Sequence, residues 1–149
     1  MKSDITMISK VLSPNDVGET LAHQAGILVP KSEGILDFFP DLGNTTKNPR
    51  CVLHFTDEFG SDWKLTFIYY NNKFFGGTRN EYRLTGLTRF YRESGLESGD
   101  TLILHRTEDG DYRISYKRSS KANVIISTDK EGKTIKKLIV SDSWKIIDY

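Results

Sequence analysis

The sequence predicts a mainly β domain with two short helices, whose strands form a closed or nearly closed barrel. Two observations lead to this fold class. Short runs rich in β-branched and aromatic residues recur along the 149 residues, separated by turn-forming residues. Only two stretches place their apolar residues at helical spacing. Many short strands joined by hairpin turns favour a barrel, and the length suits one domain, 1–149.

The first half of the chain contains four predicted strands and one predicted helix. ITMISKVLS (5–13) is β-branched and partly alternating, and AGILVP (25–30) is a short apolar strand stopped by a proline. KSEGILDFFPDL (31–42) has helical spacing and a proline that ends it. RCVLHFT (50–56) alternates as a half-buried strand does, and the turn-like DEFGSD joins it to DWKLTFIYY (62–70).

The second half contains the other helix and two hairpins. GLTRFYRESGLESGD (86–100) has apolar residues at helical spacing and predicts a short helix ending near a glycine. TLILHR (101–106) and DYRISYK (111–117) flank an Asp-Gly turn signal, which predicts a hairpin. ANVIIST (122–128) and KTIKKLIV (133–140) predict another, and SDSWKIIDY adds a last apolar patch. The total is seven or eight strands.

Composition limits the classes of protein to consider. No apolar run approaches the roughly 18 residues that span a bilayer, and the N-terminus lacks the apolar segment of a signal peptide. We therefore expect no membrane partner and a cytoplasmic location. The single cysteine, Cys51, lies in an apolar strand pattern and is predicted to be a small buried hydrophobe.

Evidence for catalysis is thin. The sequence has no Gly-x-Ser-x-Gly elbow, no phosphate-binding glycine loop and no HExxH or CxxC metal spacing. One loose pattern remains, because Asp41 after a proline, followed by Asp62 and Lys64, matches that of metal-dependent nucleases. These residues are either Mg²⁺ ligands with a water-orienting lysine or ordinary turn and surface residues. We expect the latter, and so no catalytic or metal site.

The stretch GGTRNEYR (76–83) concentrates directional hydrogen-bonding side chains after a strand. Residues 71–92 carry five basic residues and one acidic residue, a net charge of +4 in a chain whose total is +1. Arginine pairs with guanine O6 and N7 in the major groove, and a carboxylate accepts from cytosine N4. In an extended strand Arg79, Glu81 and Arg83 share one face. The alternative is an ordinary surface ladder of charges.

A second polar segment, SPNDVGETLAHQ (13–24), precedes the second predicted strand. Its side chains could reach base edges or phosphates, although an ordinary surface loop is the simpler interpretation of this segment alone. The candidates here are Asn15, Asp16, Glu19, Thr20, His23 and Gln24.

Two blocks, LSPNDVGETLAHQAGILVP and IYYNNKFFGGTRNEYR, resemble the N-terminal effector domain of EcoRII-like restriction endonucleases, including UbaLAI-type enzymes, which recognise CCWGG. FYRESGLESGDTLIL is similar to an element shared with plant B-three transcription-factor domains. The resemblance covers roughly residues 8–117.

The resemblance implies a seven-stranded DNA-binding pseudobarrel with two arms that grip the major groove. The N-arm corresponds to about 14–23 and the C-arm to about 76–83. Where the family pattern has a lysine before Thr-Arg-Asn-Glu, this sequence has Gly77, which puts the base read there in doubt. The C-arm candidates are Lys73, Gly77, Thr78, Arg79, Asn80, Glu81, Tyr82 and Arg83.

The expected function is sequence-specific binding of a CCWGG-like site by the recognition domain of a type II restriction endonuclease. The partner is double-stranded DNA, with no small-molecule substrate and with the domain acting as a monomer. Members of the family carry a C-terminal nuclease domain, so the chain is expected to be a non-catalytic fragment of a larger prokaryotic enzyme. DNA binding itself is expected to need no cofactor, and Mg²⁺ only to serve the absent nuclease domain. The alternatives are a small Mg²⁺-dependent nuclease and a transcription-factor-like domain with another target.

Overall fold

The computed structural model describes residues 6–18, 26–31, 34–119 and 144–147, together with the backbone of two further strands. Ten strands, one α-helix and two 3₁₀ helices lie in this part of the chain. The strands are β1 (Met7–Val11), β2 (Ile27–Val29), β3 (Arg50–Thr56), β4 (Asp62–Tyr70), β5 (Glu81–Thr85), β6 (Thr101–Arg106), β7 (Tyr112–Lys117), β8 (Val124–Thr128), β9 (Thr134–Leu138) and β10 (Trp144–Ile146). The α-helix α1 is Thr88–Ser94, and the 3₁₀ helices are Ile35–Phe38 and Asn72–Phe75.

Eight strands form one sheet in the order β10-β1-β6-β7-β3-β4-β5-β2, and β8 and β9 form a separate hairpin. The seven-stranded pseudobarrel that the resemblance implies was therefore wrong in its strand count, which is eight. The eighth strand, β10, pairs with β1 through Ile8↔Ile146 and Lys10↔Trp144. All pairs in the sheet are antiparallel except the short β3–β7 contact, Phe55↔Tyr112 and Thr56↔Arg113.

The sheet curls so that its two edge strands approach each other. The indole Nε1 of Trp144, on β10, donates a 2.9 Å hydrogen bond to the carbonyl oxygen of Leu28, on β2. A side-chain-to-backbone contact thus bridges the two ends of the sheet. The inward faces of the strands enclose one core, in which Ile8, Phe55 and Leu104 are fully buried. The predicted mainly β fold is confirmed, with the sheet curled into a half-barrel.

The two predicted helices differ from each other. The helix expected over 31–42 is only the 3₁₀ helix Ile35–Phe38, because residue 39 is extended and Pro40 follows. The helix expected over 86–100 is confirmed as α1, which buries Phe90 and Tyr91 and ends at Gly95 with φ 66°. Within the described residues, no helix is long and apolar enough to cross a membrane.

Candidate nucleic-acid interface

The C-arm begins in the connection between β4 and β5. Two backbone hydrogen bonds join the two halves of this connection. The 3₁₀ helix Asn72–Phe75 occupies its first half, and Gly76 ends that helix with φ 89°. The backbone N–H of Lys73 donates to the carbonyl of Arg79 at 2.9 Å, and that of Gly77 donates to Asn72 at 2.7 Å. These bonds fix where the chain enters β5, so the polar side chains that follow start from a defined backbone.

Gly77 stands where the family pattern has lysine, and the structure gives a local reason for glycine. A Cβ atom on Gly77 would lie 2.7 Å from Asn72 Cβ and 3.2 Å from the Asn72 carbonyl oxygen. The tight turn therefore leaves no room for a side chain at Gly77. Lys73, in the 3₁₀ helix, is an exposed cation of the same loop.

Three charged side chains form a network on one face of the C-arm, as the alternation predicted. Glu81 Oε1 accepts hydrogen bonds from Arg79 Nη2 at 2.7 Å and Arg79 Nε at 3.0 Å. Arg83 Nε reaches the same oxygen at 3.3 Å, and Arg83 Nη2 reaches Glu81 Oε2 at 3.4 Å. The carboxylate therefore holds both guanidinium groups in defined orientations.

Each arginine of the network also contacts a neighbouring part of the domain: Arg79 contacts a residue of β4, and Arg83 contacts the residue before β2. The Arg79 guanidinium lies 3.9 Å from the centroid of the Tyr70 ring, and Tyr70 pairs with Glu81 across β4 and β5. Arg83 Nη1 donates to the carbonyl oxygen of Gly26 at 3.0 Å, just before β2. This bond ties the C-arm strand to the residue directly before β2.

The opposite face of the C-arm packs into the domain. The Tyr82 ring stacks on Tyr69 at 4.1 Å and on Phe67 at 5.6 Å. Burial, with smaller effects from Tyr69 and Asp41, raises the pKa of Tyr82. Asn80 lies on this side too, where its Oδ1 accepts a 2.6 Å hydrogen bond from the Tyr69 hydroxyl. The Tyr82 ring is therefore held in a stack on the side opposite the charged network, and its contact with DNA stays a prediction.

Glu81 is ionised at neutral pH in this setting. Its partial burial acts to raise the pKa, but hydrogen bonds and charge from Arg79 and Arg83 outweigh that effect and lower it. The C-arm therefore presents a carboxylate, which accepts hydrogen bonds, between two guanidinium groups, which donate them. Thr78 is exposed beside it, between Gly77 and Arg79.

The described part of the N-arm is a small turn that the side chain of Asp16 attaches to β1. Asp16 Oδ2 accepts from the backbone N–H of Ser13 at 2.9 Å and forms an ion pair with Lys10. The side chains of Lys10 and Asp16 are 8% and 7% exposed, so this pair is buried. Asn15, at the tip of the turn, is exposed. The remaining N-arm candidates lie outside the described residues: Glu19, Thr20, His23 and Gln24.

The basic segment 71–92 is divided between two ends of the sheet. Arg89, on α1, lies over the Trp63 ring at 5.3 Å and pairs with Glu93 at 2.5 Å. Trp63 precedes Tyr70 on β4 by seven residues, or roughly 23 Å of extended strand. Arg89 is therefore far from Arg79, and charge clustering in the sequence overstates the size of the basic surface around the C-arm.

The residues of the nuclease pattern are not assembled. Asp41 lies near Tyr82, whose pKa it helps to raise, and Tyr82 pairs with Tyr69. Asp62 stands seven residues before Tyr69 on β4, roughly 23 Å away along the strand. Its Oδ2 contacts His54 Nδ1 at 3.0 Å. Ligands of one Mg²⁺ lie within about 2.1 Å of the ion, so these two carboxylates do not form a shared site. Within the described residues, no three His, Cys, Asp or Glu side chains form a metal-binding group.

Comparison with known families decides where the chain belongs. The model of the family described as restriction endonuclease EcoRII, N-terminal, matches residues 1–117. The chain belongs to this EcoRII N-terminal domain family. The type II restriction enzyme EcoRII of Escherichia coli is 41% identical over 80 residues, which are 51% of this chain and 19% of that enzyme. The match thus spans about a fifth of the length of that relative.

Plant proteins with B3 domains are also similar to the chain. A B3 domain-containing protein of Oryza sativa subsp. japonica is 33% identical over 112 residues, which are 74% of this chain and 33% of that protein. Among solved structures, the Arabidopsis FUS3–DNA complex matches with a TM-score of 0.57 and 20% identity, covering 75% of this chain and 96% of the other. The latter likeness establishes a shared fold.

Three residues of the interface were not predicted as site residues. Tyr69 holds Asn80, Tyr70 carries the Arg79 guanidinium and Lys10 pairs with Asp16. A signal for the two tyrosines was present, because FIYY directly precedes the polar stretch. For Lys10 there was none, since a lysine in a strand pattern predicts an exposed side chain.

Proposed function

We propose that the chain is the sequence-recognition domain of a type II restriction endonuclease and binds double-stranded DNA through the major groove. The observation that carries the proposal is the Arg79–Glu81–Arg83 network on one face of a strand. Both guanidinium groups are already oriented, so little side-chain entropy is lost when they meet base edges. A solved chain of similar fold comes from the Arabidopsis FUS3–DNA complex.

The network offers hydrogen-bonding groups suited to a G·C pair. Arg79 uses Nε and Nη2 for Glu81, which leaves its Nη1 side directed away from the carboxylate to donate to guanine O6 and N7. Glu81 Oε1 accepts three hydrogen bonds, whereas Oε2 accepts a longer one of 3.4 Å. Oε2 is therefore the oxygen suited to accept from cytosine N4.

The proposed target is a CCWGG-like site, and the N-arm supplies the second set of contacts. Asn15 is exposed at its tip, and the bond from Arg83 to Gly26 ties the C-arm strand to the residue directly before β2. Two unlike arms suit a monomer that binds one near-palindromic site asymmetrically. The domain is proposed to bind without a metal and to cut no DNA by itself, so plasmid incubated with it and Mg²⁺ should stay intact.

The deciding experiment is a mobility-shift titration of a CCWGG duplex and a scrambled duplex at about 0.15 M salt without Mg²⁺. We expect a preference of about a hundredfold, or about 3 kcal/mol, for CCWGG. Arg79→Ala should remove about 1–3 kcal/mol of that preference. Lys73→Ala should weaken binding to both duplexes alike and flatten the salt dependence.

Arg89→Ala is the matched control, because it removes an exposed arginine of the same segment that lies over Trp63. It should bind both duplexes as the wild type does. Equal, weak and strongly salt-dependent binding of both duplexes by the wild type would show contact with phosphates alone and would refute sequence readout.

A further inference from the structure

Two large apolar side chains are exposed beside the charged network. Phe74 and Phe75, in the 3₁₀ helix Asn72–Phe75, are 58% and 45% exposed. Exposing two adjacent phenylalanines costs solvation free energy, because each could bury well over 100 Å² of apolar surface. Their position in the loop that begins the C-arm therefore indicates that they meet an apolar group outside the domain.

The backbone holds these rings in place. The N–H of Phe74 donates to the Asn71 carbonyl at 3.0 Å, and the N–H of Gly77 closes the turn onto Asn72. Asn71 is fully buried, where its amide bonds the backbone of Asn48 and Thr46. The 3₁₀ helix thus stands on a fixed base, and its exposed rings are not part of a loose tail.

Charge on the same loop indicates what the rings meet. Lys73 lies between Asn72 and Phe74, and the Lys73 N–H bonds the carbonyl of Arg79, the first arginine of the charged network. A surface that combines cations with exposed rings matches a nucleic acid better than an apolar protein patch. On the floor of the major groove, the apolar group that a phenylalanine contacts is the 5-methyl group of thymine.

We propose that Phe74, supported by Phe75, contacts the 5-methyl group of a thymine in the bound site and so contributes to its sequence preference. This inference rests on the proposed function, since it assigns a further contact to the same DNA complex. It gives the C-arm a role at an A·T pair, whereas the Arg79–Glu81–Arg83 network is suited to G·C pairs.

The test replaces the single thymine of a CCWGG duplex with uracil, which removes one methyl group and changes no hydrogen-bonding group. The wild type should bind the uracil duplex about fourfold more weakly, the effect expected for one buried methyl group. Phe74→Ala should bind the thymine duplex several-fold more weakly than the wild type and should bind the two duplexes equally.

Phe59→Ala is the matched control, because Phe59 is 82% exposed in the turn between β3 and β4, at the far end of β4 from the C-arm. It should retain the full effect of uracil. If the wild type prefers CCWGG over the scrambled duplex but binds thymine and uracil duplexes equally, the methyl contact is refuted and the proposed function stands. If the wild type shows no preference for CCWGG, the proposed function fails and this inference fails with it.

Discussion

The Tyr69 hydroxyl donates a 2.6 Å hydrogen bond to the side-chain carbonyl oxygen of Asn80. Tyr69 is buried on β4, and Asn80 stands directly before β5 at the edge of the proposed interface. Because this bond turns Oδ1 toward the Tyr69 hydroxyl, the group of the amide best placed to meet DNA is its NH₂. Asn80 is thereby prepared to donate to an acceptor such as adenine N7 or a phosphate oxygen.

Tyr69→Phe tests whether this orientation matters. It keeps the ring stack with Tyr82 but removes the hydroxyl, so we expect unchanged folding and about 1 kcal/mol weaker binding, roughly fivefold, to the CCWGG duplex. Titrations of Tyr69→Phe and of a control, Tyr112→Phe, check this. Tyr112 packs on Phe38 and Phe55. Equal affinity of both variants and the wild type would contradict a role for the bond.

Glu81→Gln should change specific and nonspecific binding in opposite directions. On the CCWGG duplex, losing the charged acceptor should cost about 1–3 kcal/mol. On a scrambled duplex, affinity should rise, because the negative charge that partly neutralises Arg79 and Arg83 is removed. The repulsion between that charge and the phosphates is removed with it. Titrations of both duplexes at two salt concentrations measure this. Parallel losses on the two duplexes would show that Glu81 only supports the fold.

The lowered pKa of Glu81 gives this prediction a pH dependence. Protonation of Glu81 in the free domain requires a pH below the ordinary carboxyl value of 4.5. The preference of the wild type for CCWGG should therefore persist down to pH 5. A preference that disappears between pH 7 and pH 5 would show that another group controls it.

The buried pair of Lys10 and Asp16 predicts that Asp16 positions the N-arm. Asp16→Ala and Lys10→Met should each lower the free energy of unfolding by about 3 kcal/mol, since each leaves one buried charge unpaired. Lys10→Met/Asp16→Ala should cost less than the two single changes together. Denaturant titration of the four proteins gives the coupling between the two residues.

DNA titration of the same variants separates positioning by Asp16 from direct contact. Lys10 is only 8% exposed on its side chain and lies on β1, so it reaches DNA only through its effect on the arm. Equal losses of CCWGG affinity in the two single variants are therefore expected. A far larger loss in Asp16→Ala, measured where both variants are folded, would show that Asp16 contacts DNA itself.

The sequence predicts strands well where alternation is clean and poorly where function dictates the residues. RCVLHFT and DWKLTFIYY match β3 and β4 residue for residue. EYRLT was treated as extended when its charged side chains were assigned to one face, but it was not counted among the predicted strands, because its inward Tyr82 and Leu84 give only two apolar positions. SDSWKIIDY was expected to end the chain as a last apolar strand, and β10 lies within it, but three residues are too few for a periodic signal that would fix its bounds or its pairing with β1.

The site was predictable as a list of side chains but not as an arrangement. Alternation correctly placed Arg79, Glu81 and Arg83 on one face. It could not show that Arg89 lies at the other end of β4, because that depends on how α1 packs on Trp63. The burial of Asp16 likewise depends on Lys10, which comes from a different element.

Asp57 is expected to make folding sensitive to acid. Its carboxylate accepts 2.9 Å hydrogen bonds from the N–H groups of Phe59 and Ser61 and from Trp63 Nε1. Burial acts to raise the pKa of Asp57, but these hydrogen bonds outweigh it and lower the pKa below the ordinary 3.8. A lowered folded-state pKa stabilises the fold at pH values above the ordinary one, and this stabilisation is lost as the pH falls through the folded-state value.

Asp57→Asn should therefore cost about 1 kcal/mol at pH 7, and the difference from the wild type should shrink between pH 5 and pH 2. Urea denaturation at several pH values measures this. Glu58→Gln, at the neighbouring exposed position, is the control and should show no such convergence. A constant gap between Asp57→Asn and the wild type across the range would mean that ionisation of Asp57 does not matter.

Gly26→Ala should be the most damaging single-methyl addition in the proposed interface. Gly26 has φ 78°, and a Cβ there would lie 2.1 Å from the carbonyl oxygen of Leu84, so β2 could no longer approach β5. Its own carbonyl also holds Arg83. Gly43→Ala is matched, because Gly43 has φ 69° but no atom within 4 Å of its Cβ position.

The comparison isolates steric contact from backbone conformation. Gly43→Ala should lower the free energy of unfolding by about 1 kcal/mol, the ordinary cost of alanine at positive φ. Gly26→Ala should lower it by more than about 3 kcal/mol, because backbone must move. Where Gly26→Ala remains folded, it should also lose preference for CCWGG as Arg83 shifts. Equal destabilisation by the two changes would show that β2 and β5 separate at little cost, and that Gly26 does not fix the C-arm strand beside β2.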